Sequence, residues 1–235
     1  MPHSATPPAH CRKKCPLRDF TAVMARAVAN PAAIEKLTLH DGEPAYRAGD
    51  PASAVYFVRA GLVKLVAGAD AADERAGRIV RIAGAAGVIG LEALFLPSFR
   101  YSAIAMGKVA ACRIATANLR CMLDAAPESK MRLLGYCHGE LARVEAWLAD
   151  FADHSATARV RIARLLLHMR EGRTSRLHCL RHHDMAAVLG VAMETICRNL
   201  TRMTHDGLIS EYKSASSSGY FDADIARLEQ VAHGG

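Results

Sequence analysis

Short apolar stretches separated by turn-forming residues occupy positions 37 to about 123 of the chain. The turn signals include Ala60-Gly61 and Leu96-Pro97-Ser98, which contain residues typical of chain reversals. Between the turns, residues 55–58, 62–66, 78–82 and 101–105 are apolar enough to form strands. Short strands at this spacing predict a β-sandwich or β-roll.

A long helix is predicted after the strands, beginning at Pro127 and Glu128, because proline is favoured in the first helical turn. Its apolar residues alternate at spacings of three and four, which is a heptad seam. They are Leu134, Cys137, Leu141, Val144, Leu148 and Phe151. The seam predicts either a dimer interface or packing onto the chain's own β-roll. Shorter helices are predicted over residues 17–28 and over residues 156–170, the latter capped by Ser155.

Two further helices, joined at Gly190, are predicted within residues 184–209. In the second helix, Ile196, Leu200 and Met203 recur at i, i+4 and i+7 and would face a core. The other faces carry the candidate DNA contacts Met193, Glu194, Cys197, Arg198 and Arg202. A helix fits the major groove, where arginine can bind guanine and glutamate can accept from cytosine. The alternative is an ordinary amphipathic hairpin with solvated charges.

The residues after this hairpin favour DNA reading. His205-Asp206-Gly207 is a helix stop signal, and Leu208-Ile209 can begin a strand. Residues 213–220 suit an exposed turn between two short strands. Together they predict a winged helix-turn-helix, with Asp222 capping a last helix.

The pattern D-x-A-x-x-L-G-x-x-x-E-T-x-x-R over residues 184–198, followed by D-G-L-I, resembles the DNA-binding domain of the CRP/FNR superfamily of bacterial transcription regulators. The resemblance implies that Glu194 and Arg198 contact bases. Cys197 departs from the pattern, since FNR-like members usually have serine there and CRP-like members glycine. This departure leaves the operator sequence open.

The resemblance extends over the predicted strands, where residues 46–50, residues 55–58 and Gly61 are similar to the cyclic-nucleotide-binding-like fold. It implies an α+β protein. Residues 1–126 would form an N-terminal sensor domain, a β-roll (jelly roll) with a cysteine-bearing N-terminal segment. Residues 127–153 would form the dimerisation helix, and residues 154–235 the winged helix-turn-helix domain.

Residues 87–94 occupy the position of the family's phosphate-binding cassette. Members that bind cyclic nucleotides place a glutamate directly after the glycine and an arginine later on. Here Leu91 follows Gly90, and Tyr101 precedes Ser102-Ala103, with Arg100 one position off. Burying a phosphate without its arginine is costly, so cyclic AMP is disfavoured and the resemblance is to the FNR side.

Composition is consistent with a cytoplasmic regulator. The 235 residues suffice for two modest domains, and a net charge of +7 favours a polyanionic partner. No apolar run reaches membrane-spanning length, and the N-terminal residues lack the apolar core of a signal peptide. The seven cysteines do not resemble the framework of a small secreted disulfide protein, so reduced thiols or metal ligands are expected.

Cys11 and Cys15 form a close pair beside positive charges, a context that favours thiolates able to ligate metal. In iron–sulfur FNR proteins, cysteines of a short N-terminal segment combine with one beyond the cassette, and Cys112 falls at that place. The resemblance thus implies an iron–sulfur cluster on Cys11, Cys15 and Cys112. The family's segment has three cysteines where this chain has two, so a fourth donor would come from Cys121, His10 or Asp19.

Three other sensing mechanisms stay open: a thiol switch formed by Cys11 and Cys15, a bound haem, or sensing without a cofactor. For Cys137 the plain interpretation is apolar packing, and for His178, His182 and His183 it is a solvated or phosphate-facing edge.

The leading hypothesis is a homodimeric transcription factor that binds a palindromic operator on double-stranded DNA and contacts RNA polymerase. Its input would be oxygen, nitric oxide or redox state. The alternatives are a thiol- or metal-dependent enzyme and a signalling module that does not bind DNA. No nucleophile elbow or phosphate-binding Gly-Lys loop supports an enzyme.

Overall fold

The computed structural model describes residues 34–68, 77–125, 127–152, 155–212 and 219–234. The chain forms two compact units, Met1–Ala142 and Arg143–Gly235. The helix predicted over residues 17–28 and most of the turn predicted over residues 213–220 lie outside the described residues. The helices of these described ranges lack the combination of length and hydrophobicity that a membrane-spanning segment needs.

The first unit contains a six-stranded antiparallel sheet. Its strands are β1 (Ile34–Leu39), β2 (Pro44–Tyr46), β3 (Ala54–Ala67), β4 (Arg78–Ala83), β5 (Val88–Ile89) and β6 (Ser102–Ala115). The order is β1-β6-β3-β4, with β2 paired to β6 and β5 paired to β3. The two 14-residue strands β3 and β6 therefore form the centre of the predicted β-roll.

Strand β3 corrects one sequence prediction. The pattern predicts two strands over residues 55–58 and 62–66 with a turn at Ala60-Gly61, but both stretches belong to one strand whose register shifts around Ala60. Gly61 has φ of 85°, and a Cβ there would lie 2.5 Å from the carbonyl oxygen of Lys108. The glycine accommodates a β-bulge, which bends a strand without reversing it. The strand predicted over residues 101–105 likewise continues to Ala115.

The core of the first unit lies between the long strands and α1 (Thr116–Ala125). Val55 and Phe57 of β3, Ile114 of β6 and Leu119 of α1 are each completely buried. All five residues at the start of β3 are buried, so both faces of this central strand are covered.

Helix α2 (Pro127–Ala152) begins at the predicted proline and carries two different faces. On one face Leu133, Tyr136 and Cys137 pack against the β-roll core. Glu140 follows on the same face, 7% exposed, and forms an ion pair with Arg81 of β4. The Arg81 guanidinium also donates to the Val88 carbonyl at 2.9 Å, so it joins β4, β5 and α2.

A neighbouring side of α2 carries exposed apolar residues. Leu134, Leu141 and Leu148 are 59%, 55% and 59% exposed, and they recur every seven residues. The residues of the predicted heptad seam therefore have two kinds of surroundings: the leucines are exposed, and two others contact their own chain. Its residue Cys137 faces the chain's own roll, and Phe151 contacts Trp147 and His168 with ring centroids 4.7 and 5.7 Å away.

The second unit includes the end of α2 and α3 (Ala158–His168). His168 Nε2 lies 2.6 Å from an oxygen of Asp150, and Arg164 donates to the Asp150 carbonyl at 2.9 Å. These contacts link the last turns of α2 to α3.

Two predicted helix caps are wrong by two residues. Thr157, not Ser155, caps α3 by accepting from the Val160 amide at 3.3 Å. Asp224, not Asp222, caps α6 (Ile225–Ala232) by accepting from the Arg227 amide at 3.1 Å. A capping side chain must stand immediately before the first helical turn, and both helices begin two residues later than the predicted caps require.

The rest of the second unit is a helical core with a small sheet. The strands are β7 (Arg176–His178), β8 (Ile209–Tyr212) and β9 (Tyr220–Ala223), paired antiparallel in the order β7-β9-β8. The hairpin β8–β9 is the predicted wing, whereas the sequence pattern does not predict β7. Between β7 and β8 lie α4 (His182–Leu189) and α5 (Met193–His205).

The buried Arg81–Glu140 pair gives a test of what holds α2 to the roll. Glu140→Gln should lower the free energy of unfolding by about 3 kcal/mol, because it leaves the Arg81 charge without its partner in a poorly solvated place. The measurement is urea denaturation followed by circular dichroism.

The matched control is Glu35→Gln, which removes the partner of Arg113 in an exposed pair of 3.0 Å whose glutamate is 59% exposed. That change should cost less than about 1 kcal/mol. Equal losses in the two variants would show that Glu140 is not an anchor of α2.

Candidate nucleic-acid interface

A tight turn at Gly190 joins α4 to α5. Gly190 has φ of 61° and ψ of 38°, and its amide donates to the Ala186 carbonyl. A Cβ at this position would meet nothing within 4 Å, so glycine is favoured by the left-handed backbone rather than by crowding. The turn is therefore specified locally, as the sequence predicts.

Helix α5 is fixed by its apolar face. Ile196, Leu200 and Met203 are 0%, 6% and 0% exposed, which is the face predicted from their spacing. At the end of the helix, Arg159 of α3 donates to an oxygen of Asp206 at 2.8 Å. This hydrogen bond lowers the pKa of the Asp206 carboxyl, so the pair is ionised at neutral pH.

The exposed part of α5 carries the five predicted DNA contacts, with Glu194 and Arg198 opposite the buried face. Met193, Glu194, Arg198 and Arg202 are exposed, and Cys197 is half-buried. Glu194 and Arg198 are four residues apart and share one side of the helix. The structure thus places Glu194, Cys197 and Arg198 close together on the outward side of α5, with Met193 and Arg202 on its two flanks.

Cys197 has a neighbour that the sequence did not predict. Its sulfur lies 3.2 Å from Nδ1 of His182, the first residue of α4. The Thr201 hydroxyl donates to the Cys197 carbonyl at 3.0 Å within α5. The helical hairpin itself places the thiol and the imidazole side by side.

The other two histidines of this region have different surroundings. His178 of β7 packs on Tyr220, with ring centroids 4.7 Å apart, and burial lowers its pKa. His183 is half-exposed and lies 3.5 Å from an oxygen of Asp184. In the described part of the chain, no three His, Cys, Asp or Glu residues form a group that could hold a metal ion.

In the β-roll, the cassette region differs from a phosphate site. Arg100 is exposed, while Leu91 and Tyr101 are half-buried. The Tyr46 hydroxyl is buried, and this burial raises its pKa. The guanidinium of Arg81 is held by Glu140 and by a backbone carbonyl.

The predicted ligands of the iron–sulfur cluster differ in their exposure to solvent. Cys112 of β6 is 4% exposed within the apolar core, opposite Lys36 of β1 and Phe57 of β3. Cys121 of α1 is exposed. Cys11 and Cys15 lie outside the described residues, so the ligand set stays a prediction.

Two family models match the chain. A Crp-like helix-turn-helix domain covers residues 160–231, and a cyclic nucleotide-binding domain covers residues 36–126. The chain belongs to the CRP/FNR family of transcription regulators. The regulator therefore binds DNA through its helix-turn-helix, and the enzyme alternative is set aside because the family regulates transcription.

Known proteins agree with this assignment. The regulator is 25% identical to the transcriptional activator protein Anr of Pseudomonas aeruginosa over 217 residues, which are 88% of this chain and 87% of Anr. FixK2 of Bradyrhizobium japonicum matches with a TM-score of 0.68 and 21% identity, covering 84% of this chain and 96% of FixK2.

A CRP-family regulator of Thermus thermophilus matches with a TM-score of 0.64 and 22% identity, over 84% of this chain and 96% of that one. These structures confirm the predicted α+β fold, with a β-rich N-terminal domain and a C-terminal helix-turn-helix.

Proposed function

We propose that the regulator is a cytoplasmic homodimer that reads a palindromic operator with two copies of α5 and answers to oxygen, nitric oxide or redox state. The proposal that the regulator reads DNA rests on the outward face of α5. Contact with RNA polymerase is part of the proposal, supported by the similarity to a transcriptional activator.

Base reading is assigned to Glu194 and Arg198. Both side chains are exposed on the same side of a helix whose other side is fixed in the core by Ile196, Leu200 and Met203. An arginine can form two hydrogen bonds with guanine O6 and N7, and a glutamate can accept from cytosine N4. Met193, Cys197 and Arg202 extend this surface along the helix.

The proposed dimer uses the bare side of α2. Leu134, Leu141 and Leu148 form a stripe with Met131, which is 69% exposed, and Val144, which is 36% exposed. A second copy of the helix supplies the same stripe, so a two-fold axis would bury both. Dimerisation would then place the two α5 helices in successive major grooves. Cys137 and Phe151 contribute less, because they contact their own chain.

The proposed sensor is the N-terminal segment with its cysteines. Iron–sulfur clusters are held by cysteine thiolates, and Cys11, Cys15 and Cys112 are assigned to that role. A fourth donor comes from Cys121, His10 or Asp19. Cys112 is buried in the apolar core of the β-roll, so a cluster that it ligates would have to lie directly against the β-roll.

Cyclic AMP is not the proposed ligand. Its phosphate needs a buried arginine. Arg100 is exposed, and the Arg81 guanidinium is already held by Glu140.

Arg198→Ala tests base reading. A palindromic duplex is first selected from random sequences with the reduced wild-type protein. Arg198→Ala should then reduce the binding free-energy difference between this duplex and a random duplex by about 1–3 kcal/mol. Fluorescence anisotropy at several salt concentrations measures both affinities. Arg173→Ala removes the same charge from an exposed loop of the same unit and should keep the preference. A wild-type protein that binds both duplexes equally would refute the assignment.

Leu141→Glu tests the dimer. A charge in the stripe should shift the chain to monomer in sedimentation equilibrium, because each buried carboxylate would face its symmetry mate. Ala146→Glu puts the same charge on an exposed position of α2 away from the stripe and should leave the dimer intact. A dimer that survives Leu141→Glu would exclude this face.

Anaerobic purification tests the sensor. Absorption spectra with iron and sulfide analysis should show an iron–sulfur cluster that Cys11→Ser or Cys112→Ser removes, while Cys179→Ser retains it. Colourless, iron-free protein after reconstitution would reject the cluster. A sharp Soret band would indicate that the cofactor is haem and not an iron–sulfur cluster.

A further inference from the structure

Cys197 and His182 are in contact on the side of the helical hairpin away from its buried residues. Cys197 is not disulfide-bonded, its side chain is half-buried, and its sulfur lies 3.2 Å from the imidazole Nδ1. His182 is exposed. The pair is therefore open to small molecules dissolved in water.

A thiol beside an imidazole is a reactive arrangement. In the neutral tautomer that carries its proton on Nε2, Nδ1 accepts the thiol proton as the sulfur attacks an electrophile. The partner is fixed, because His182 begins α4 and Cys197 lies one turn into α5, and the Gly190 turn holds the two helices together.

We propose that Cys197 is an oxidation site for peroxide-class oxidants and that its oxidation weakens DNA binding. The sulfur attacks one peroxide oxygen, a sulfur–oxygen bond forms and the oxygen–oxygen bond breaks. The thiol proton passes through Nδ1 of His182 to the departing hydroxide, which leaves as water. Sulfur loses two electrons, peroxide gains them, and the product is a sulfenic acid.

The consequence for DNA follows from the position of the sulfur. Cys197 lies directly before Arg198 and three residues after Glu194, within the surface assigned to base reading. An added oxygen changes the size and polarity of that surface and removes the contact with His182. This part rests on the proposed function, whereas the reactivity of the thiol does not.

The first experiment measures reactivity without DNA. The full-length reduced protein is treated with iodoacetamide or hydrogen peroxide, and peptide mass spectrometry follows each cysteine. Cys197 should react faster than Cys121, although Cys121 is the more exposed. His182→Gln should slow the reaction of Cys197 by at least about tenfold, which is less than the usual effect of about 10²–10⁴-fold from a positioned general base.

Two controls accompany it. His183→Gln changes the neighbouring exposed histidine and should leave the Cys197 rate unaltered, and the Cys121 rate should not change in either variant. Equal rates at Cys197 in wild type and His182→Gln would overturn the pair as a reactive site. Circular dichroism establishes that each variant is folded.

The second experiment compares affinity for the selected palindromic duplex before and after peroxide. In the wild type, oxidation should weaken binding at least about tenfold, or 1.4 kcal/mol, and dithiothreitol should restore it. The same comparison is made in proteins that also carry Cys11→Ser and Cys15→Ser, so that the proposed N-terminal sensor does not contribute; there Cys197→Ser, whatever its own affinity, should keep an oxidised-to-reduced ratio near one. A wild-type ratio near one, or the same loss in Cys197→Ser, would overturn the regulatory role.

Failure of the proposed function gives a different result. If the reduced wild-type protein prefers no duplex, DNA reading by α5 is refuted, and the mass measurement still decides the reactivity of Cys197.

Discussion

A helix packed against a core on one side must leave its other side to solvent or to a partner, and this constraint governs both α2 and α5. In α5, Ile196, Leu200 and Met203 occupy the core, so Glu194 and Arg198 face outward. In α2, burial of one side against the β-roll leaves a stripe of leucines exposed beside it. The polar exposed face suits DNA and the apolar one suits a second copy, because their chemistries differ.

The first unit has an unusual anchor for such a helix. The Arg81–Glu140 ion pair ties α2 to β4, and Arg81 also binds the carbonyl of Val88 in β5. A charged pair in a poorly solvated place holds only when both partners are present. The position of the first half of α2 on the roll therefore depends on an electrostatic contact as well as on apolar packing.

Local patterns predicted much of the fold. Gly190, the i, i+4, i+7 spacing in α5 and the turn signals of the roll are encoded within a few residues, so periodicity detects them. Features that depend on where an element begins were less predictable, as the caps at Thr157 and Asp224 show. Strand β7 has three residues and is stabilised by pairing with β9, which no local pattern reveals.

The sequence by itself determined the helix-turn-helix, the residues on its outward face and the family, because each is a short-range pattern of residue types. Only the tertiary structure decided which distant side chains meet. His182 and Cys197 are 15 positions apart, and Arg81 and Glu140 are 59 apart. Such pairs form because two packed elements fix their relative position, and neither residue's own segment contains that information.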